Sequence, residues 1–591
     1  MPKKVLIFGA GYAGIEAALT LQRKKKPSDD IEISIIDRNS YHTLLTELHE
    51  VAGNRISEDG VIVPLRDIFK YTDVKVIKDE VNRINFENKT VVGESSEYNY
   101  DYLIISAGSE PNYYGIPGLQ ENSYSLWSYE DAIRIREHIK DSFIKASQEK
   151  DTAKRKTLLT FVVGGGGFTG VEVVGEIAQW TKLLCKQYNI NKNEVKLVLV
   201  EALPTILSNL KESGQKKAMN YLTKKLKVEV LTSCAITKVT EGTVELKSGK
   251  VINTNTLIWT AGVKAACITD EIDVEKVKAC RIKVDEYTQT QYENVYAVGD
   301  ISAFIADGHT LPALVEAAVQ TGKGAAKNVL ADIRGKEKEK LNPKLHGVMV
   351  SIGSFFAVSD IMGRELPRII SILLKYMVNV HYLFGIGGFE LVIKYLKHEF
   401  LNKNQEKFLL EKHYSVTTQA FWLVPLRLFL GYSWLMEGLK KYNEGWLTTK
   451  MLAGKAPDAG TSASVTEAGE KVFRIVSDHT PGWYAWIADN FVIPNAMLFQ
   501  ILIVLTEIGL GLALISGTFT FIAGLAALGL NINFLLSTGL YETSWWYIPA
   551  AILMLGGAGR AFGVDYYLIP YLMRQWRYFV RNRKIKLWLF K

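Results

Sequence analysis

Through the first 365 residues or so, short runs of consecutive apolar residues alternate with longer segments of helical period. The runs are "KVLIFGA", "IEISIID", "YLIISAG", "LTFVVGG", "VKLVLVE" and "TLIWTAG". Near-continuous apolar strands between helices predict parallel sheets buried on both faces, an α/β fold. Two of the runs end in glycine-rich turns that open a helix. These are "VLIFGAGYAGIEAAL" from Val5 and "FVVGGGGFTGVEVVGE" from Phe161. Each turn is followed by its own helix, strand and acidic residue, so the architecture is duplicated within the chain.

From about residue 366 the pattern changes. "LPRIISILLKYMVNVHYLFGIGGFELVIKYLKHEF" mixes apolar residues with Lys375, Lys394 and Lys397. Its uninterrupted apolar runs are too short for a clean membrane span, and an interfacial amphipathic helix or helix pair is expected. The polar "LNKNQEKFLLEKHYS" then reads as a linker.

Beyond residue 418 four candidate spans follow: "FWLVPLRLFLGYSWLMEGL", "IPNAMLFQILIVLTEIGLGLALISG", "FTFIAGLAALGLNINFLLS" and "WWYIPAAILMLGGAGRAFGV". Arg427 interrupts the first, and the last three reach the roughly 20 apolar residues a span requires. Trp483, Trp486, Trp545 and Trp546 sit where an aromatic belt would lie. The basic "RQWRYFVRNRKIK" places the tail in the cytoplasm, and four spans return the preceding domain to the same side. Arg427, Glu437, Glu507 and Arg560 lie in or beside these segments. Such groups are expected to be paired, as an Arg–Glu pair, or to mark a functional site.

Composition adds little beyond this. The 591 residues allow about three to five domains. The net charge of +8 is modest, and the basic tail follows apolar segments. A membrane surface is therefore favoured over nucleic acid. Cys185, Cys234, Cys267 and Cys280 form no C-x-x-C pair, which argues against a redox disulfide or a cysteine metal site. The N-terminus is read as the first strand of a cytoplasmic domain, because its glycines fall in a fingerprint.

The candidate chemistry lies in the turns. Gly9, Gly11 and Gly14 form G-x-G-x-x-G, in which the glycines allow a tight turn, a close pyrophosphate and close helix packing. The helix N-terminus faces the phosphates. Asp37 ends the next strand, where a carboxylate can accept ribose hydroxyls, and Arg38 follows it. Gly165, Gly167 and Gly170 repeat the pattern, with Glu201 as the acid. A carboxylate there favours a free 2′-hydroxyl, hence NADH over NADPH.

"TQTQYENVYAVGDIS", ending near Gly299-Asp300, resembles the second FAD motif of the two-dinucleotide-binding-domain flavoproteins. "LIISAGSEPN", with Gly108, and "LIWTAGV", with Gly262, look like that family's crossover strands. The resemblance implies FAD on the first fingerprint, Asp300 on its ribityl chain and NADH on the second. It implies a divided FAD domain (1–118 and 285–365) enclosing an NADH domain (119–284). A membrane-associating segment (366–415) and a four-helix transmembrane domain (416–591) follow.

Over about residues 3–400 the chain is similar to the type II NADH:quinone oxidoreductases, through "DRNSYHTLLTELHEVAGN", "GGGGFTGVEVVGE", "VEALPTIL" and "YAVGDIS". In "LPALVEAAVQTGKGAAKNV", Gln320 matches the second glutamine of that family's A-Q-x-A-x-Q quinone helix, and Glu316 replaces the first. The resemblance places Glu172 near nicotinamide and flavin, Thr46 at the flavin edge and Lys375 near the quinone tunnel. Glu316 is a candidate proton donor, and His42 is read as structural. The final segment resembles the DoxX/DoxD-like membrane proteins, through "PLRLFLGYSWLMEGLKKY" and "GGAGRAFGVDYYL". That family includes the small subunit of thiosulfate:quinone oxidoreductase.

What these resemblances imply is hydride transfer from NADH to FAD N5. Two electrons then pass to a membrane quinone, menaquinone or ubiquinone, without proton pumping or a metal. The expected location is the bacterial cytoplasmic membrane, with a homodimer among the implied arrangements. A sulfide- or thiosulfate-linked quinone reductase and a redox-sensing membrane scaffold are the alternatives. The first needs paired reactive cysteines and no NADH fingerprint.

Overall fold

The computed structural model describes residues 2–306, 308–400, 420–453, 464–467, 470–476, 480–537 and 545–582. The chain divides into two compact units. One is Met1–Ser415 with Trp576–Lys591, the other Val416–Gln575. The proposed linker at 401–415 and the end of the basic tail lie outside the described residues.

The first unit carries two five-stranded parallel sheets, as the apolar runs predict. One has the order Val295–Ala297, Tyr102–Ile105, Lys3–Phe8, Ile31–Asp37, Lys75–Lys78. The other repeats it with Tyr124–Ser125, Thr256–Trp259, Thr160–Gly164, Lys196–Val200, Glu229–Leu231. In both, the central strand feeds the glycine-rich turn. It is apolar because both faces are covered: Ile7, Phe161 and Val162 are fully buried. Each half also has a three-stranded antiparallel sheet, formed by Val81–Asn85, Thr90–Gly93 and Glu97–Asn99 in the first and by Ile236–Thr240, Thr243–Leu246 and Val251–Asn253 in the second. The duplication therefore extends beyond the fingerprints. An antiparallel pair, Ser109–Pro111 with Val263–Ala265, joins the two crossovers.

A small sheet, Gly347–Ser351, Ala357–Ile361 and Arg364–Glu365, leads into the expected helix pair, Arg368–Gly387 and Phe389–Phe400. Gly388 makes the turn between them at φ +69°. Ile369, Ile370, Leu373, Met377 and Val378 are exposed on the first helix, whereas Ser371, Leu383 and Ile386 face the unit's core. The expectation of apolar runs too short to span is corrected here. The Arg368–Gly387 helix is, by length and composition, apolar enough to cross a membrane.

The second unit has helices Val424–Asn443, Ala496–Ser516, Thr520–Ser537 and Tyr547–Met554. Among the described residues of this unit, only Ala496–Ser516 and Thr520–Ser537 are long and apolar enough to span. Two of the four expected spans thus have the length and composition of a crossing helix. Val424–Asn443 has the length but carries Arg427, Glu437, Lys440 and Lys441. The last candidate ends at Met554, and Gly557 turns the chain at φ +84°. Val424–Asn443 packs on Ala496–Ser516 at Gly431, Gly438 and Gly511. A Cβ on Gly511 would lie 2.6 Å from the Leu435 backbone nitrogen, so only glycine permits this approach.

Candidate functional site

The two turns are built alike. Gly9 and Gly165 have φ of +102° and +112°, which glycine alone accommodates easily. A Cβ on Gly14 would collide with the Gly9 carbonyl, and one on Gly170 with the Gly165 carbonyl, so each third glycine lets helix and strand touch. A Cβ on Gly11 or Gly167 would meet nothing within 4 Å. Those two glycines therefore face open space. The helices they begin, Tyr12–Lys24 and Phe168–Gln187, have neither a side-chain cap nor an acid in the first turn. Their positive ends are free for an anion.

The acids match as well. Asp37 accepts from the Ala10 amide and the Asn39 amide, both at 2.7 Å. Glu201 accepts from the Gly166 amide at 2.5 Å and the Leu203 amide at 2.7 Å. One oxygen of each carboxylate braces its turn, and both retain lone pairs for ribose hydroxyls. Open cradle, uncapped helix and braced acid fit a dinucleotide at each turn.

Around the first turn, Asp300 accepts from the Ser109 hydroxyl at 2.9 Å, and burial raises its proton affinity. Gly299, at φ +72°, donates its amide to Thr321 at 3.0 Å. Gly108 and Gly262 turn the crossovers at φ +74° and +80°. Thr46 is exposed and hydrogen-bonds the Tyr12 phenol. Arg38 is largely exposed, 3.9 Å from Glu80. His42 is buried, 3.2 Å from the Ala10 carbonyl and 3.0 Å from the Tyr382 hydroxyl. Burial lowers its pKa to about 4, which keeps it neutral.

Glu172, in the second turn's helix, opens onto a buried charged cluster. Its carboxylate is 3.3 Å from the Ser351 amide, 3.4 Å from the Ser351 hydroxyl and 3.7 Å from His49. Burial pushes its pKa up to about 8, although Lys375 pulls it back. Lys375 pairs with Glu50, stands 3.5 Å from Glu47 and reaches the Ser351 hydroxyl at 3.4 Å. It points inward, so it is not a snorkelling lysine. Burial, then Lys375 and Arg55, hold the His49 pKa well below its usual value. Carboxylate oxygens of Glu47, Glu50 and Glu399 lie within 4.8 Å of one another, a spacing that could suit a metal. The Lys375 ammonium and the Arg55 guanidinium lie against these carboxylates.

Gln320 and Glu316 are spent differently. The Gln320 amide donates to the Lys344 carbonyl at 2.7 Å and accepts from its amide at 3.0 Å. Glu316 pairs with the His346 ring and accepts from its amide at 3.0 Å. Together they staple the strap entering Gly347–Ser351. The geometry joins Glu172 and Lys375 through Ser351 and shows no such link to Gln320 or Glu316. Sequence reasoning missed His49, Glu50, Arg55, Glu176, Ser351 and Glu399. The i, i+4 pair Glu172/Glu176 in an apolar helix was a signal that could have found part of this cluster.

In the second unit the expected Arg–Glu pair is corrected. Arg427 donates to the carbonyls of Ala558, Ala561 and Phe562 at 2.9–3.0 Å. Glu507 pairs with Lys441 at 2.5 Å. Arg560 is exposed.

Residues 3–322 match the model of the pyridine nucleotide-disulphide oxidoreductases. The type II NADH:quinone oxidoreductase of Staphylococcus aureus (strain NCTC 8325 / PS 47) is 31% identical over 399 residues, spanning 66% of this chain and 98% of that protein. NDH2 from Plasmodium falciparum, solved in complex with NADH, shares the fold at TM-score 0.61 and 18% identity, over 69% of this chain and all of that one. The sulfide:quinone oxidoreductase from Aquifex aeolicus shares it at TM-score 0.51 and 18% identity, over 70% and 96%. The chain belongs to the pyridine nucleotide-disulphide oxidoreductase family and is a relative of the type II NADH:quinone oxidoreductases.

Proposed function

We propose that the chain is a membrane-bound, non-pumping NADH:quinone oxidoreductase. The observation that carries this reading is the second braced turn, whose helix delivers Glu172 to a buried acid–lysine cluster. Residues 9–14, Asp37 and Asp300 would hold FAD, and residues 165–170 with Glu201 would hold NADH. The bound groups supply hydride transfer and a two-electron store. Overall, NADH, a quinone and one proton give NAD⁺ and a quinol.

The chain's own residues manage position and the proton. Glu172 is neutral below its pKa of about 8, so it carries a proton at neutral pH. Ser351 lies between it and Lys375, giving a short polar path. Lys375, held by Glu50 and Glu47, places a positive charge where a quinone would gain electron density. The apolar outer face of Arg368–Gly387 supports docking at a bilayer. The two spans of the second unit, which carries the DoxX-like resemblance, supply an anchor. The basic tail supports a cytoplasmic dehydrogenase. In this reading Gln320 and Glu316 shape the strap rather than bind the quinone.

The test is steady-state NADH oxidation by the FAD-loaded full chain with menaquinone or ubiquinone analogues, beside a truncation near residue 410. Quinone-dependent turnover is expected, and its absence overturns the reading. Sulfide-dependent bleaching of the flavin with NADH inert would install the sulfide-linked alternative.

A further inference from the structure

Arg55 stands where three elements meet. It is 2% exposed. Its guanidinium pairs with Glu50 of the Leu48–Ala52 helix, beside the first turn. It lies 3.4 Å from Glu176, one helical turn past Glu172. It lies 4.0 Å from Glu399, near the end of the Phe389–Phe400 helix. That end is also docked through His398, whose Nδ1 is 2.9 Å from the Ser57 hydroxyl. One cation therefore ties the FAD-side loop, the NADH-side helix and the membrane-facing helix pair.

The charges do not balance. Among the described residues, carboxylates of Glu47, Glu50, Glu172, Glu176 and Glu399 face only Arg55 and Lys375 as permanent cations. His49 is held neutral, and Tyr376 and Tyr395 add only phenols beside Glu399. Full ionisation would leave uncompensated negative charge in a buried site, so the cluster must retain protons. Removing any one charge redistributes them. Arg55 touches Glu50, the partner of Lys375, but none of the fingerprint residues.

We infer that Arg55 and Glu399 are positioning residues that set where the cluster keeps its protons, and that they act on quinone reduction rather than on flavin reduction by NADH. This rests on the function proposed above. Two signs follow. Loss of Arg55 removes a charge that favours ionised carboxylates, so the cluster binds protons more tightly. Loss of Glu399 removes a competing negative charge, so it binds them less tightly.

The experiment uses the FAD-loaded full chain in vesicles, with Arg55→Met, Arg55→Lys and Glu399→Gln. Anaerobic stopped-flow reads flavin reduction by NADH, and steady-state turnover with a menaquinone analogue gives the pH profile. For Arg55→Met, quinone turnover is expected to fall roughly tenfold or more, with flavin reduction within about twofold of wild type. The alkaline limb should rise by about one pH unit in Arg55→Met and fall by a similar amount in Glu399→Gln. Arg55→Lys should recover most of the turnover. Limbs that stay put or move together, flavin reduction falling in step, or failure of lysine to rescue would each overturn the inference. If Arg55→Met loses its flavin through misfolding, the near-isosteric Glu399→Gln still decides by the direction of its limb. Absence of quinone turnover in the wild type would instead overturn the functional reading, and this inference with it.

Discussion

Gly167 and Gly170 lie within one turn of helix, yet an added methyl should do opposite things at the two positions. Gly167 has φ −72° and ψ −168°, a conformation open to alanine, and its Cβ would meet nothing within 4 Å. Gly167→Ala should therefore leave the apo-turn unstrained. By narrowing the unfolded ensemble it should even add about 0.4–1 kcal/mol of stability. The open space is where a pyrophosphate would approach. A methyl there costs about 1–3 kcal/mol of binding, as in an overpacked core. That corresponds to roughly a 5- to 150-fold rise in the NADH concentration needed for half-maximal flavin reduction. Gly170→Ala instead drives its methyl into the Gly165 carbonyl, so the strand and helix must separate and the domain is destabilised with or without NADH. Thermal unfolding of the FAD-loaded protein without NADH, followed by stopped-flow NADH titration, separates the two effects. If Gly167→Ala accepts NADH as well as wild type does, no dinucleotide lies against this turn. If it unfolds, the space is not open.

Three further outcomes are expected. Gly11→Ala, the matching change in the first turn, should yield a folded protein that loses FAD on purification, read from the flavin-to-protein absorbance ratio. Glu172, whose raised pKa keeps it protonated at neutral pH, ionises as pH rises through about 8, so wild-type quinone reduction should fall there. In the pH–rate profile Glu172→Gln should lose that limb and run about 10²-fold slower throughout. Glu507→Gln leaves Lys441 without its buried partner and should cost about 3–5 kcal/mol. Lys441→Met combined with Glu507→Met should recover most of that, measured by thermal unfolding of the full chain in nanodiscs.

The two parallel sheets and both turns were legible because their determinants are local. A β-branched run, three glycines at fixed spacing and an acid at the next strand's end specify each turn completely. The membrane portion was less legible because isolated polar residues that interrupt an apolar run weigh little in the average over a whole helix. Lys375 and Asn379 interrupt the apolar run in sequence, yet both turn inward. Asn379 donates to Glu47 at 2.8 Å and the Tyr395 hydroxyl at 2.9 Å. Conversely, "WWYIPAAILMLGGAGRAFGV" has the apolar length of a span in sequence, but its helix ends at Met554, ahead of paired glycines. The cluster around Arg55 was invisible for another reason. Its members come from residues 47–55, 172–176, 351, 375 and 399, and only the tertiary fold gathers them.

The duplication supplies an internal control on what makes the second helix chemical. Glu16 stands two residues past Gly14, as Glu172 stands two past Gly170. One turn on, Thr20 occupies the place that Glu176 takes in the repeat. In the first helix Thr20 donates to Glu16 at 3.1 Å and Arg23 lies 3.9 Å away, so that acid is satisfied within its own helix. In the second, Glu172 finds its partners on other elements, at His49 and Ser351, and a second acid replaces the threonine. A carboxylate closed by its own helix is fixed in place. One whose partners lie across an interdomain junction can exchange its proton when those partners move. The fingerprint is common to both halves and cannot distinguish a resident group from a travelling one. The Thr20-to-Glu176 difference, together with Lys375 reaching Ser351 from the membrane-facing helix, is what supports the proton-handling role proposed for the second turn.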